Sequence, residues 1–143
     1  MIARTLFLSM VLATGATGVA MAQDPAPAKG LEIELNGLAS TDKGCKFTFV
    51  AASGLEQDLS KVSFEFVIFN AQGTVERLAL LDFRDLPAGK SKVRQFDVPG
   101  ISCEGVKSLL INDAPVCQGE GVAEGRCMDG IVTRSKTEAG LEG

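Results

Sequence analysis

The sequence predicts an all-β chain, an antiparallel immunoglobulin-like β-sandwich with two disulfides. Three observations carry this expectation. Six segments rich in Phe and β-branched residues lie between Leu31 and Ala114, and several of them alternate apolar and polar residues with a period of two. Turn formers separate them at short spacing, and four cysteines are spread along the same region. A chain of 143 residues that is 45% hydrophobic can bury one core of this kind.

The N-terminal residues MIARTLFLSMVLATGATGVAMA read as a signal peptide. Arg4 precedes an apolar run from Leu6, and Ala20-Met21-Ala22 supplies small residues where a signal peptidase needs them, so cleavage is expected after Ala22. The apolar run is too short and too rich in glycine for an anchor, so no stable membrane span is expected after cleavage. No Cys follows the cleavage position, which argues against a lipid anchor. Residues 23–30, QDPAPAKG, read as a flexible linker, and the domain itself as residues 31–133.

Each strand has its own signature. In LEIELNG, Leu31, Ile33 and Leu35 alternate with Glu32, Glu34 and Asn36. CKFTFVA repeats the register, with Cys45, Phe47 and Phe49 turned to the core. The stretch Ser53–Lys61 has turn formers and reads as a loop with room for one helical turn. VSFEFVIFN, Val62 to Asn70, reads as a central strand whose Val62, Phe64, Phe66 and Ile68 share a face. NAQG makes a hairpin through Gly73 into TVERLALLDF, where Leu78 and Leu80 compete with Ala79 and Leu81 for the interior. After the turn LPAG come KSKVRQFDV, an edge strand guarded by Lys90, Lys92 and Arg94, and then GVKSLLINDA. Residues 134–143, RSKTEAGLEG, have too little apolar content to pack and are expected to be a disordered tail.

Strand parity orders the cysteines. If the six strands alternate in direction, Cys45 and Cys103 fall at one end of the sandwich and Cys117 at the other. A strand between Cys103 and Cys117 would separate those two by roughly 20–25 Å, beyond the reach of a bridge. The expected pairs are therefore Cys45 with Cys103 and Cys117 with Cys127. Four cysteines used in this way place the chain in an oxidising compartment, and with the signal peptide that compartment is the periplasm.

Composition removes whole classes of chemistry. The chain has no His, so Ser-His-Asp and Cys-His nucleophilic catalysis and His-ligated zinc are excluded within one chain. Acids outnumber bases, 18 to 14, and no basic cluster stands out, so no nucleic-acid partner is expected. No phosphate-binding glycine loop is present, and no cofactor is expected. Cys117 and Cys127 in CQGEGVAEGRC have nine residues between them rather than two, which favours a structural bridge over a redox pair. Glu120, Glu124 and Asp129 lie near glycines but lack the spacing of a calcium loop, and Arg126 lies among them, so no metal site is expected. Asp82 and Asp85 flank Arg84 in LDFRDLP and read as a charged strand end, not a catalytic pair.

The run from Gly44 to Cys117 resembles a family of small exported proteins of alphaproteobacteria that are often labelled as Tat pathway signal sequence domain proteins. The N-terminus departs from that label, since it has the single Arg4 and no arginine pair, which points to the general secretory route. The order LSKVSFEFVIFNAQGTV then LPAGKSKVRQF is also similar to FxLYD-type β-sandwich modules of extracytoplasmic proteins. These resemblances imply fold and compartment and bring no catalytic residue. The expectation is a periplasmic, non-enzymatic binding or accessory module for a protein partner of the cell envelope. Its candidate surfaces are the Ser53–Lys61 and Cys117–Cys127 loops. The competing class is a carboxylate-based enzyme or a calcium-dependent protein.

Overall fold

The computed structural model describes residues 29–143. The expected signal peptide and the first six residues of the expected linker lie outside them. Eight strands form two four-stranded sheets. They are β1 (Leu31–Ser40), β2 (Gly44–Ser53), β3 (Leu59–Asn70), β4 (Val75–Leu86), β5 (Ser91–Pro99), β6 (Val106–Gln118), β7 (Val132–Ser135) and β8 (Gly140–Glu142). One sheet has the order β5-β2-β1-β7 and the other β4-β3-β6-β8. Within the six long strands every pairing is antiparallel, as in immunoglobulin-like sandwiches, and edge strand β5 of one sheet lies beside edge strand β4 of the other.

The period-two pattern decides what is buried. Leu31, Ile33 and Leu35 of β1, Phe47 and Phe49 of β2, and Val62, Phe64, Phe66 and Ile68 of β3 are all essentially inaccessible. In β4 the contest is settled for Leu81 and Phe83, which are buried, while Leu78 and Leu80 are exposed. The inner faces meet in a cluster of phenylalanines centred on Phe49, Phe66 and Phe83, which takes the place of the Trp such sandwiches often carry.

Both disulfides follow the parity expectation. Cys45 joins Cys103, in a single 3-10 turn before β6, with Cα atoms 5.0 Å apart, and Cys117 joins Cys127 at 5.8 Å. The first bridge ties the start of β2 to the connection leading into the opposite sheet. The two bridges suggest maturation in an oxidising, extracytoplasmic compartment.

Strands β3 and β6 run further than their sequence signals, as β1 does to Ser40 and β4 to Leu86. β3 begins at Leu59, inside the segment expected to be loop, and no helical turn forms there. β6 continues past Ala114 through Pro115 to Gln118 because its pairing with β3 shifts between Ser63 and Glu65, and a proline is tolerated at such an irregularity.

The expected disordered tail is corrected. β7 runs parallel to β1 and β8 parallel to β6, so residues 132–142 cross from one sheet to the other and close that side of the sandwich. The sparse apolar content suffices because its two useful side chains, Ala139 and Leu141, are both buried. Ion pairs hold the outer surface of the same segment: Arg134 with Glu32 at 2.5 Å and Lys136 with Glu34 at 3.4 Å. The Asn36 amide donates to Glu34 at 2.9 Å, and this bond, helped by Lys136 and opposed by desolvation, holds the Glu34 carboxyl below its ordinary range. The folded-state value is the lower one, so this tie is present above the carboxyl's unfolded range and is lost as pH falls through the depressed value. The end of the expected linker is also packed, since Gly30 is buried and its carbonyl accepts from Gly54 N–H at 2.9 Å.

The opposite side, between edge strands β4 and β5, has no backbone ladder and is fastened by arginines. Arg94 of β5 donates through Nε to the Phe83 carbonyl at 2.6 Å and through Nη2 to the Asp85 carbonyl at 2.9 Å. Arg77 of β4 donates to the Pro99 carbonyl at 2.5 Å. A bulge makes the first contact possible: Arg84 has φ +59°, its N–H is capped by Asp82 Oδ1 at 2.8 Å, and Phe83 is the extra residue opposite β3. The Arg94 side chain is only 13% exposed, so its loss leaves carbonyls without a donor. Arg94→Ala is expected to lower stability by about 2 kcal/mol, and Arg94→Lys to restore less than half of that. Urea denaturation checks this, and an unchanged midpoint would show that water replaces the guanidinium at no cost.

Candidate functional site

The two loops singled out by sequence meet at one end of the sandwich. β2 and β6 both end there, so Gly54–Asp58 and Gly119–Arg126 emerge side by side. Ser60 Oγ donates to the Gln118 carbonyl at 3.2 Å, and Lys61 is paired with Gln118 across β3 and β6. Gly119 lies so close to the Asp58 carbonyl that a Cβ at this position would collide with backbone, so the contact between the loops requires glycine.

Several further ties fix this end. Asp58 Oδ1 accepts from Ala88 N–H at 2.8 Å, which brings in the turn Leu86–Gly89. Gly89 N–H donates to the Ser53 carbonyl at 2.8 Å. Arg126 donates to the Lys29 carbonyl at 2.8 Å and the Asp129 carbonyl at 3.1 Å, so its charge organises the loop from within. Cys127 is fully buried and Cys117 half-buried, which anchors both ends of the loop on β6. Glu56, Glu120, Glu124 and Asp129 are all exposed on the outside, where acids outnumber the exposed Lys29 and Lys90. Between β6 and the loop lies an open groove of about 500 Å³, whose lining includes Asp113, Pro115, Gln118, Val122 and Glu124.

The chemistry of these groups is that of a surface. Asp82 and Asp85 have structural partners: Asp82 caps the Arg84 bulge and lies 3.9 Å from Lys61, while Asp85 lies 3.6 Å from Lys92 and 3.2 Å from Arg94. They stabilise the β4 bulge and the β4–β5 fastening. Among the described residues, no group of three or more His, Cys, Asp or Glu side chains is placed to hold a metal ion, and no helix is long and apolar enough to cross a membrane.

Sequence reasoning did not single out Asp58, Gly119 or Arg126 as the residues that build this end. Asp58 follows a turn and precedes a strand, a common place for a capping carboxylate, but its partner Ala88 is 30 residues away. Comparisons with protein-family models, with curated proteins and with solved structures found no match.

Proposed function

We propose that this protein is a periplasmic, non-enzymatic binding or accessory module, exported by a signal peptide cleaved after Ala22, and that it recognises a protein partner of the cell envelope through its loop end. The carrying observation is the convergence of Gly54–Asp58 and the Cys117–Cys127 loop on one pinned surface. Binding loops held on a rigid sandwich need little ordering on association, which is how such folds present recognition surfaces. The resemblance to exported alphaproteobacterial proteins supports the same compartment. Exposed Glu56, Glu120 and Glu124 favour a partner surface with basic residues, so association should weaken as salt rises.

Site-specific photo-crosslinking in intact cells tests the proposal. A photoreactive residue at Glu120 or Glu56 is expected to capture one discrete partner, whereas the same residue at Gln95, exposed on β5, should not. Equal capture at the two places, or none at the loop end, would refute the loop-end reading. Mass spectrometry of the recovered protein should show Gln23 as its first residue.

A further inference from the structure

We propose that two copies of this chain pair through their β4 edges, antiparallel about a two-fold axis, joining the two β4-β3-β6-β8 sheets into one continuous sheet. The proposal is independent of the loop end, because it rests on a different strand.

An exposed sheet edge presents unpaired backbone groups, and folded proteins usually blunt it. Three of the four edges here are blunted. β5 carries inward-facing Lys92 and Arg94 and ends in Pro99, and β7 and β8 are only 4 and 3 residues long. β4 is different. It has 12 residues, and its segment Arg77–Asp82 pairs with β3 in unbroken register between two irregularities. Within that flat window the outward side chains are Leu78, Leu80 and Asp82, and the two leucines are 56% and 63% exposed. With Val75 they are three of the four large apolar residues exposed among the described residues. Leu78 adjoins Val67 of β3, which adjoins Leu110 of β6, so the apolar surface continues inward from the edge.

A second copy is the occupant because β4 is complementary to itself. A two-fold interface sets each residue of a strand against another residue of the same strand. Side chains repeat every two residues, so only even offsets keep both outer faces together. An axis through Ala79 sets Leu78 against Leu80 of the second copy, and an axis through Leu80 sets Leu80 against itself. Either one brings the Glu76 end of one strand to the Arg84 end of the other, each of these residues lying at the irregularity that bounds the flat window. Charges at the two ends fit this arrangement. Asp82 and Asp85 are engaged within their own chain, whereas no ion pair or side-chain hydrogen bond involves the Arg84 guanidinium among the described residues. Glu76 accepts only a long bond from Asn70, at 3.4 Å. One end of the strand therefore offers an unpaired cation and the other a nearly free carboxylate, as antiparallel self-pairing requires.

Sedimentation velocity on the purified protein, processed as the cell leaves it, tests this over roughly 1–300 μM. A concentration-dependent monomer–dimer equilibrium is expected, with Leu80→Lys a monomer throughout and its melting temperature little changed. Glu76→Arg should weaken dimerisation about tenfold, and Glu76→Arg combined with Arg84→Glu should restore it. The restoration also serves if Leu80→Lys folds poorly. A monomer at every concentration would overturn the proposal and leave the β4 edge to a foreign strand. A dimer indifferent to Leu80→Lys, or one that the charge exchange fails to restore, would overturn it equally.

Discussion

Replacing Cys45 and Cys103 together by alanine is expected to lower stability by about 4 kcal/mol, the cost of releasing a loop whose ends are 58 residues apart. The bridge spans both sheets, so in the unfolded chain it restrains β2 to β5 together. The same double replacement at Cys117 and Cys127, 10 residues apart, is expected to cost about 3 kcal/mol by the same loop-entropy relation. The two also differ in kind. Loss of the first acts on the whole domain, and since Cys45 is fully buried it leaves a small void as well. Loss of the second frees a loop whose other anchors are Arg126 and the Gly119–Asp58 contact, so photo-crosslinking at Glu120 should become diffuse while the domain stays folded. Urea denaturation of both double variants under non-reducing conditions is the measurement. Equal losses would mean that loop length does not govern the effect, and that local strain or residual structure does.

How much of this fold was legible in the sequence depends on which signal each element carries. Strands β1 to β3 announce themselves because each has one buried face, and alternation reports burial directly. β4 does not, because Leu78, Ala79, Leu80 and Leu81 satisfy either facing, and only the pairing of Leu81 with Phe64 fixes the choice. The C-terminal strands are invisible for another reason. A segment that contributes Ala139 and Leu141 to the core has no periodicity to detect, and its order comes from β1 and β6, which lie far away along the chain. The functional surface divides in the same way. Disulfide pairing followed from strand parity, a global property that survives local error. The convergence of the two loops depended on the Gly119–Asp58 approach and the reach of Asp58 to Ala88, contacts that no local pattern encodes.

The phenylalanine cluster gives the other large effect. Phe49 lies on β2, with its ring 5.1 Å from Phe66, 5.5 Å from Phe83, 6.0 Å from Phe96 and 6.4 Å from Phe47, so it joins rings from both sheets. Phe49→Ala is expected to cost about 4 kcal/mol, combining lost transfer energy, a cavity that a sandwich braced by two disulfides cannot collapse, and several aromatic contacts. Phe49→Leu keeps most of the volume and should cost about 1.5 kcal/mol. Phe69 is the control, since it lies on β3 one residue past Ile68, faces outward and is only half-buried, so Phe69→Ala should cost about 1 kcal/mol. Chemical denaturation of the three variants ranks them. If Phe69→Ala proved as costly as Phe49→Ala, the outer face of β3 would itself be covered, and the apolar surface from Leu78 to Leu110 would belong to a buried interface in the isolated protein. A dimer formed through β4 would leave most of that face open, so the same measurement separates edge pairing from face-to-face association of two copies.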